Sequence, residues 1–295
     1  MSKMEKNTGL LNFSDLKKKH FKLLYWIMFA LLILISLTAL LPIIWVFLSG
    51  FKSTAEMYSI PPTLLPSHIE PAQLLGAWKK ASFGLAYMNT VYIIIGCLIF
   101  DILCNGIFGY VLSRIKPTGS KVLDTLIFWS MLLPGISMVP LYMTFVDMPF
   151  LHINLSGSFL PLWFMAGCNA FNVLLFRNFF NGIPMAYMEA ARIDGASDIG
   201  IFFRIILPLS KPILVVVAIF SVTGSWGNFM WPYLVLGSTA YEPVSVKLYQ
   251  LSTSSVLQDN ELMLVTMFSI IPPAVIYCFF SKHIMGGLNM SGLKG

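Results

Sequence analysis

Long apolar runs separated by short polar segments dominate the pattern of this chain. Six of the runs have the roughly 20 residues that a helix needs to cross a bilayer core of about 30 Å. They lie near residues 23–48, 85–112, 122–146, 156–180, 212–236 and 262–281. The pattern predicts an all-α membrane protein with six transmembrane helices, in which residues 23–281 form one membrane domain.

The composition agrees with this pattern and excludes several classes of protein. Hydrophobic residues make up 57% of the chain and charged residues 11%, against about 25% charged in soluble domains. The cysteines all lie in apolar runs without metal-ligand spacing, which predicts reduced packing residues. The chain contains no phosphate loop, nucleophile turn or H-E-x-x-H pair. It is therefore predicted to be no enzyme and to hold no cofactor or metal of its own.

The basic residues flank the apolar runs and predict the orientation of the chain. With a cytoplasmic N-terminus, only four of the 19 Lys and Arg residues fall outside, as the positive-inside rule requires. These four are Lys52, Lys79, Lys80 and Lys247. We therefore expect a cytoplasmic N-terminal segment 1–22 and a cytoplasmic C-terminal tail 282–295. The net charge of +6 marks orientation and contact with lipid, not nucleic-acid binding.

Three connecting segments are too long for simple turns, and such loops commonly contact partners. Two are predicted outside, at residues 49–84 and 237–261, and one inside, at residues 181–211. In the first outer loop, Pro71 suits the first position of a short helix over residues 71–78.

The inner loop has the punctuation of two helices joined by a turn. Pro184 suits a first helical position, Gly195 suits the left-handed residue that ends a helix, and Ser197 suits an N-cap. The second helix then carries an apolar stripe at helical spacing, formed by Ile199, Phe202, Phe203 and Ile206. Such a stripe either packs beneath the chain's own helices or docks on a partner, and the sequence leaves both open.

The same loop contains a motif with a known relative. Glu189-Ala190-Ala191, followed by Asp194-Gly195-Ala196 and Leu207-Pro208, resembles the EAA motif of ATP-binding-cassette importer permeases. The resemblance implies the type I permease fold, in which this loop forms a coupling helix that docks on a separate ATPase subunit. The residues it implies in that contact are Glu189, Ala190, Ala191, Asp194, Gly195, Phe202, Phe203, Leu207 and Pro208.

Two further segments resemble the maltose-type sugar permeases. Ser225–Pro232 in the fifth run is similar to their W-x-x-F-x-W-P segment, and the glycine-rich chain end is similar to the tail of the MalG-like subunit. That tail reaches between the ATPase subunits, and the implied contacts are Gly287, Leu288, Gly292 and Lys294. The family tail usually reads closer to G-L-T-A-G-A-x-K-G, so residues 289–291 depart from it. Without the resemblance, the tail would be interpreted as a frayed end.

Polar residues inside the apolar runs are the candidates for a solute pathway. Asp101 lies midway along the second run, where an ionised carboxylate is costly unless it faces a cavity or a hydrogen-bond partner such as Asn105. Asn169, Asn172 and Asn228 either line a hydrophilic cavity or bond between helices. Aromatic faces for a sugar, or an interfacial belt, are offered by Trp163, Trp226, Trp231 and Tyr233. The candidate pathway residues are Asp101, Asn172, Trp226 and Asn228.

Together the resemblances imply a subunit of a binding-protein-dependent importer in a prokaryotic cell membrane. It would pair with a homologous MalF-like permease, an ATPase dimer that binds ATP and Mg, and an extracytoplasmic sugar-binding protein. A sugar or oligosaccharide would cross by ATP-driven alternating access, and the four outer lysines favour an acidic saccharide. The alternatives are a permease of this architecture for a non-sugar solute and an ATP-independent secondary transporter.

Overall fold

The computed structural model describes residues 19–132 and 137–291, and the side chains of residues 21–132 and 137–280. The first four helices are α1 (Lys19–Gly50), α2 (Thr54–Met57), α3 (Pro71–Lys80) and α4 (Phe83–Ile115). Pro71 is the first residue of α3, which confirms the short helix predicted in the first outer loop.

The helices that follow are shorter until the last one. They are α5 (Ser120–Leu132), α6 (Met138–Val146), α7 (Leu160–Ala166), α8 (Ala170–Asn181), α9 (Ala186–Ile193), α10 (Asp198–Leu209), α11 (Lys211–Gly227), α12 (Met230–Leu236), α13 (Val244–Thr253) and α14 (Asp259–Ser291). No β-strand occurs within the described ranges. The all-α prediction is confirmed.

Three of the described helical segments are long and apolar enough to cross a membrane by themselves: Phe21–Gly50, Phe83–Ile115 and Asp259–Phe280. The pair α10 and α11 gives a fourth crossing if it is counted as one span, although its halves are bent by 83°. The third, fourth and fifth predicted spans are each divided between two shorter helices. The count of six spans therefore stays a prediction.

Helix α1 exposes its apolar side chains along almost its whole length. Only its end is covered, where a Cβ on Gly50 would lie 2.5 Å from Leu264 Cδ2 in α14. Because a large apolar surface is stable only in lipid or against another chain, this helix forms the periphery of the subunit.

Helix α4 packs against five other helices, α3, α7, α8, α11 and α13. Its backbone widens into π-helical turns at Asp101–Asn105 and at Val111–Ile115, and such turns often occur at functional sites. Near its C-terminal end it approaches α8 closely. A Cβ on Gly109 would lie 2.7 Å from Phe176 Cβ and 3.0 Å from the carbonyl oxygen of Val173.

We expect Gly109→Ala to lower the stability of the permease by about 1–3 kcal/mol, because the added methyl forces α4 and α8 apart. The measurement is the Tm of the purified membrane protein. Gly76→Ala is the matched control, since Gly76 lies in α3 with open space around it, and alanine there favours the helix by about 1 kcal/mol. Equal Tm values for the two variants would contradict this packing.

Candidate functional site

A cavity of about 290 Å³ lies where α4, α7, α8, α11 and α12 meet. Its polar wall is formed by Asp101, Asn169, Asn172, Ser221, Ser225 and Asn228. Aromatic faces are supplied by Phe171, Phe220 and Trp231. Amides, hydroxyls and aromatic faces together suit a hydroxyl-bearing solute, since the polar groups form hydrogen bonds and the rings cover apolar surface.

Asp101 is 2% exposed and carries the single carboxylate among the described residues of this wall. Its Oδ1 accepts hydrogen bonds from Asn105 Nδ2 at 2.6 Å and from Asn172 Nδ2 at 2.9 Å. Oδ2 accepts from Asn172 Nδ2, also at 2.9 Å. Within the part of the chain that the structure describes, no Lys, Arg or His side chain lines the cavity. Neutral amide donors therefore compensate the loss of water around the carboxylate.

Asn105 extends this network to the break between α7 and α8. Its Nδ2 also donates to the carbonyl oxygen of Ala166 at 2.8 Å, and its Oδ1 accepts from the backbone N–H of Asn169 at 3.0 Å. These groups belong to the end of α7 and the start of α8, where backbone groups lack a partner within their own helix. Both alternatives for Asp101 are thus present together, because it bonds to Asn105 and also borders the cavity.

The two candidate residues of the W-x-x-F-x-W-P segment lie in different surroundings. Asn228 lines the cavity, as does Trp231, which was not among the pathway residues predicted from the sequence. Trp226 is not part of the described lining. Its Nε1 donates to the carbonyl oxygen of Ser269 at 3.1 Å, and its ring centroid is 5.5 Å from that of Tyr87. The indole therefore packs α11 against α14 and α4.

The coupling segment, residues 181–211, has the predicted form of two helices joined by a turn. Gly195 has φ +80° and follows α9, which confirms the left-handed turn. Ser197 Oγ accepts from the backbone N–H of Gly200 at 3.2 Å and caps α10. Arg192 Nη2 donates to Asp198 Oδ1 at 2.9 Å across the turn, and this hydrogen bond raises the pKa of Arg192 above its ordinary value.

A π-helical turn at Phe202–Ile206 divides the predicted apolar stripe. Because a π-turn adds a residue, side chains that an α-helix would align point in different directions. Phe202 and Ile206 are buried, whereas Phe203 is 43% and Ile199 73% exposed. The stripe therefore both packs beneath the chain's own helices and leaves an apolar face outside.

The residues of the EAA-like motif are also divided between exposed and buried positions. Glu189, Ala190, Asp194 and Pro208 are exposed, and Leu207 is half-buried. Ala191 is buried in a core formed by Tyr110, Phe176, Phe180, Met188, Ala191, Ile201, Phe202, Ile206, Ile213 and Val217. The exposed acidic and small residues thus stand on a firmly packed base.

Two of the four lysines that are predicted to lie outside form contacts within the subunit. Lys52 is 1% exposed, donates to the carbonyl oxygen of Thr63 and lies 4.4 Å from the ring centroid of Trp45. Lys80 Nζ is 2.7 Å from Glu261 Oε2. Neither is available as a free cation for an acidic solute.

The tail residues lie at the limit of the described chain. Helix α14 continues to Ser291 and so includes Gly287 and Leu288. The predicted contacts Gly292 and Lys294 lie outside the described residues.

Residues 105–286 match the family model of the "Binding-protein-dependent transport system inner membrane component". The chain belongs to this family. It is therefore a membrane-embedded, multi-pass permease subunit of a transport system, as the sequence predicted.

Curated relatives and a solved structure agree with this assignment. The permease is 30% identical over 276 residues to the diacetylchitobiose uptake system permease protein NgcG of Streptomyces coelicolor, covering 90% of this chain and 87% of that protein. It is 28% identical to the arabinooligosaccharides transport system permease protein AraQ of Halalkalibacterium halodurans, covering 95% and 100%. A crystal structure of a bacterial ABC transporter involved in import of the acidic polysaccharide alginate matches with TM-score 0.77 and 25% identity, covering 93% and 99%. The permease fold is confirmed.

Sequence reasoning missed two contributors to the cavity network. Asn105 was considered only as a partner for Asp101, although its second contact, with the break after α7, fixes the wall. Ser221 has no motif of its own and reaches the cavity because α11 turns that face inward. An interruption of the fourth apolar run by Gly167 and Asn169 is the signal that could have located the break.

We expect Asp101→Ala to lower the stability of the permease by about 1–3 kcal/mol, because two buried amides lose their acceptor. The measurement is the Tm of the purified permease. Thr223→Ala serves as the control, since the Thr223 hydroxyl bonds to the Ile219 carbonyl oxygen of its own helix. An unchanged or higher Tm for Asp101→Ala would show that the carboxylate is not needed to hold this wall.

Proposed function

We propose that this permease is one of two homologous membrane subunits of an ATP-driven importer that carries a saccharide into a prokaryotic cell. NgcG is named for diacetylchitobiose uptake and AraQ for arabinooligosaccharide transport, and the matching solved transporter is involved in alginate import. The hydroxyl-binding character of the cavity supports the same class of cargo. A non-sugar solute on this architecture and an ATP-independent transporter are the alternatives that the experiments below separate.

The proposal that a separate ATPase drives transport rests on the exposed face around Gly195. Ile193 is 86% and Ile199 73% exposed, and both stand beside exposed Glu189 on the buried base of the coupling segment. An apolar and acidic surface on a rigid support suits docking into a partner's groove. ATP and Mg would bind to that partner, an ATPase dimer, because this chain contains no phosphate loop.

The remaining partners follow from the proposed orientation. Segments 1–22 and 282–295 would lie in the cytoplasm, and the tail would reach the ATPase subunits. Loops 49–84 and 237–261 would face the extracytoplasmic binding protein. The cavity would form this subunit's side of a pathway that the second permease completes, and alternating access would open it to each side in turn.

The charge of the cavity favours an uncharged saccharide over the acidic one that the outer lysines suggested. Among the described lining residues, Asp101 is the one carboxylate and no side chain is basic. Lys52 and Lys80 are engaged inside the subunit. A uronate carboxylate would therefore meet no basic side chain in the described lining to balance its charge in a medium of low dielectric constant, where an unpaired charge is costly.

Gly195→Val is expected to abolish copurification of the ATPase while leaving the permease in the membrane. A β-branched residue at φ +80° would disrupt the turn that orients α9 and α10. The measurement is the amount of ATPase retained on the tagged permease. Gly119→Val introduces the same strain, at φ +91°, in another turn with open space around it, and it should retain the ATPase. Equal retention by both variants would contradict the docking role of this turn.

ATP hydrolysis by the assembled importer tests the cargo. We expect neutral oligosaccharides, added with the binding protein, to stimulate hydrolysis several-fold and uronate oligosaccharides to stimulate it little. Stimulation by uronates alone would refute the uncharged cargo, and hydrolysis indifferent to every saccharide would refute the sugar assignment. Uptake driven by an ion gradient without any ATPase would support the secondary transporter instead.

A further inference from the structure

Helix α4 contacts the cavity and the coupling segment at its two π-helical turns. Asp101, in the first turn, lines the cavity, and Arg114, in the second, lies beside the coupling segment. At a rise of 1.5 Å per residue, the two positions are about 20 Å apart along the axis. The same helix therefore forms part of the cavity wall and ends at the loop that faces the ATPase in the proposed function.

Arg114 holds the short linker that leads into the coupling segment. Its Nη2 donates to the carbonyl oxygens of Phe180 and Ile183, which lie at the end of α8 and in the linker after it. Its Nη1 is 3.5 Å from the Sδ of Met185, the residue immediately before α9. The Arg114 guanidinium thus contacts the end of α8, the linker after it and the residue before α9. Its planar set of donors makes such a multiple contact possible, whereas a lysine ammonium offers a single charged centre.

A second pair of side chains joins the same two elements. Ser113 Oγ donates to Asn181 Oδ1 at 2.8 Å. Near the other half of the coupling segment, the ring centroids of Tyr110 and Phe202 are 5.4 Å apart, and both residues are 2% exposed. Helix α4 therefore contacts the coupling segment where it begins and again at its second helix.

Direct packing contacts connect these elements. The close approach at Gly109 keeps α4 against α8, and Met188 of α9 is fully buried in the core beneath the motif. In closely packed interiors, a shift of one element displaces its neighbours because no void absorbs it. A movement of the coupling segment must then be followed by the end of α4 for as long as the polar contacts of Arg114 persist.

We propose that Arg114 is a positioning residue that makes α4, and with it the Asp101 wall of the cavity, follow the coupling segment when the ATPase moves it. This inference rests on the proposed function. Arg114 acts through the backbone carbonyls of Phe180 and Ile183, not through contact with the solute or the ATPase. Its removal should separate ATP hydrolysis from transport, which a purely structural role would not do.

The test compares Arg114→Gln with Lys116→Gln in the complete importer reconstituted in vesicles with its binding protein. Lys116 is exposed and two residues further along, so the control removes the same charge from the same end of α4. We measure retained ATPase, ATP hydrolysis and the amount of solute taken up per ATP hydrolysed. For Arg114→Gln we expect full ATPase retention and about a tenfold lower uptake per ATP, in the range of known coupling effects. Lys116→Gln should behave as the wild type.

Two milder variants keep the test decisive if Arg114→Gln fails to assemble. Ser113→Ala, which removes only the contact to Asn181, should lower uptake per ATP by about twofold. Arg114→Lys should fall between wild type and Arg114→Gln, because it keeps the charge but not the fork of donors.

The inference is overturned if the Arg114 variants assemble less but transport the wild-type amount of solute per ATP. It is also overturned if Ser113→Ala and Arg114→Lys both keep the wild-type ratio. A wild-type importer whose hydrolysis ignores the binding protein would count against the proposed function itself, and so the two failures are distinguishable.

Discussion

Backbone groups that a helix break exposes in the interior of a protein must be satisfied by other protein groups, because a buried N–H or C=O without a partner is costly. The structure meets this constraint with side-chain amides at the break between α7 and α8. Asn105 donates a hydrogen bond to the last carbonyl of α7 and accepts one from the N–H of Asn169, just before α8. Asp101 accepts hydrogen bonds from the side-chain amides of Asn105 and Asn172. The cavity exists where this break is, since an unbroken helix would present apolar side chains there. The part of the polar wall that α4 and α8 contribute is thus formed by the side chains that stabilise the break.

The same helix that stabilises the break also stabilises the coupling segment. Helix α4 has two π-helical turns. At each turn, a polar side chain donates hydrogen bonds to the backbone of a neighbouring segment. Asn105 does so toward α7 and α8, and Arg114 toward the linker before α9. Between them, Gly109 allows the close contact with α8. Close packing along α4 and polar contacts at its π-turns therefore occur together, and both are needed for the proposed movement of α4 with the coupling segment.

The sequence predicted the elements whose signal is local and missed those that depend on tertiary contacts. Gly195 and Ser197 were placed correctly because a left-handed turn and an N-cap each have a strong residue preference. The stripe from Ile199 to Ile206 was predicted as one face because the spacing assumed an α-helix. The π-turn separates it, and the spacing of the apolar residues does not predict that turn. Trp231 lines the cavity, and Asn105 joins the hydrogen-bond network behind its wall, only through packing of distant helices.

The surfaces that the subunit leaves uncovered indicate how it depends on other molecules. The apolar side chains of α1 are exposed along most of the helix, and Ile193 and Ile199 project beside Gly195. These two surfaces differ in composition. Helix α1 is apolar throughout and so suits lipid or another membrane helix, whereas the face beside Gly195 mixes apolar side chains with Glu189 and Asp194. Transfer of the carboxylates of such a mixed surface into lipid would be costly, and exposure of its isoleucines to water is unfavourable. The proposed ATPase would cover this mixed surface, and such docking at the coupling segment, not the long apolar helices, would make the permease part of an ATP-driven importer.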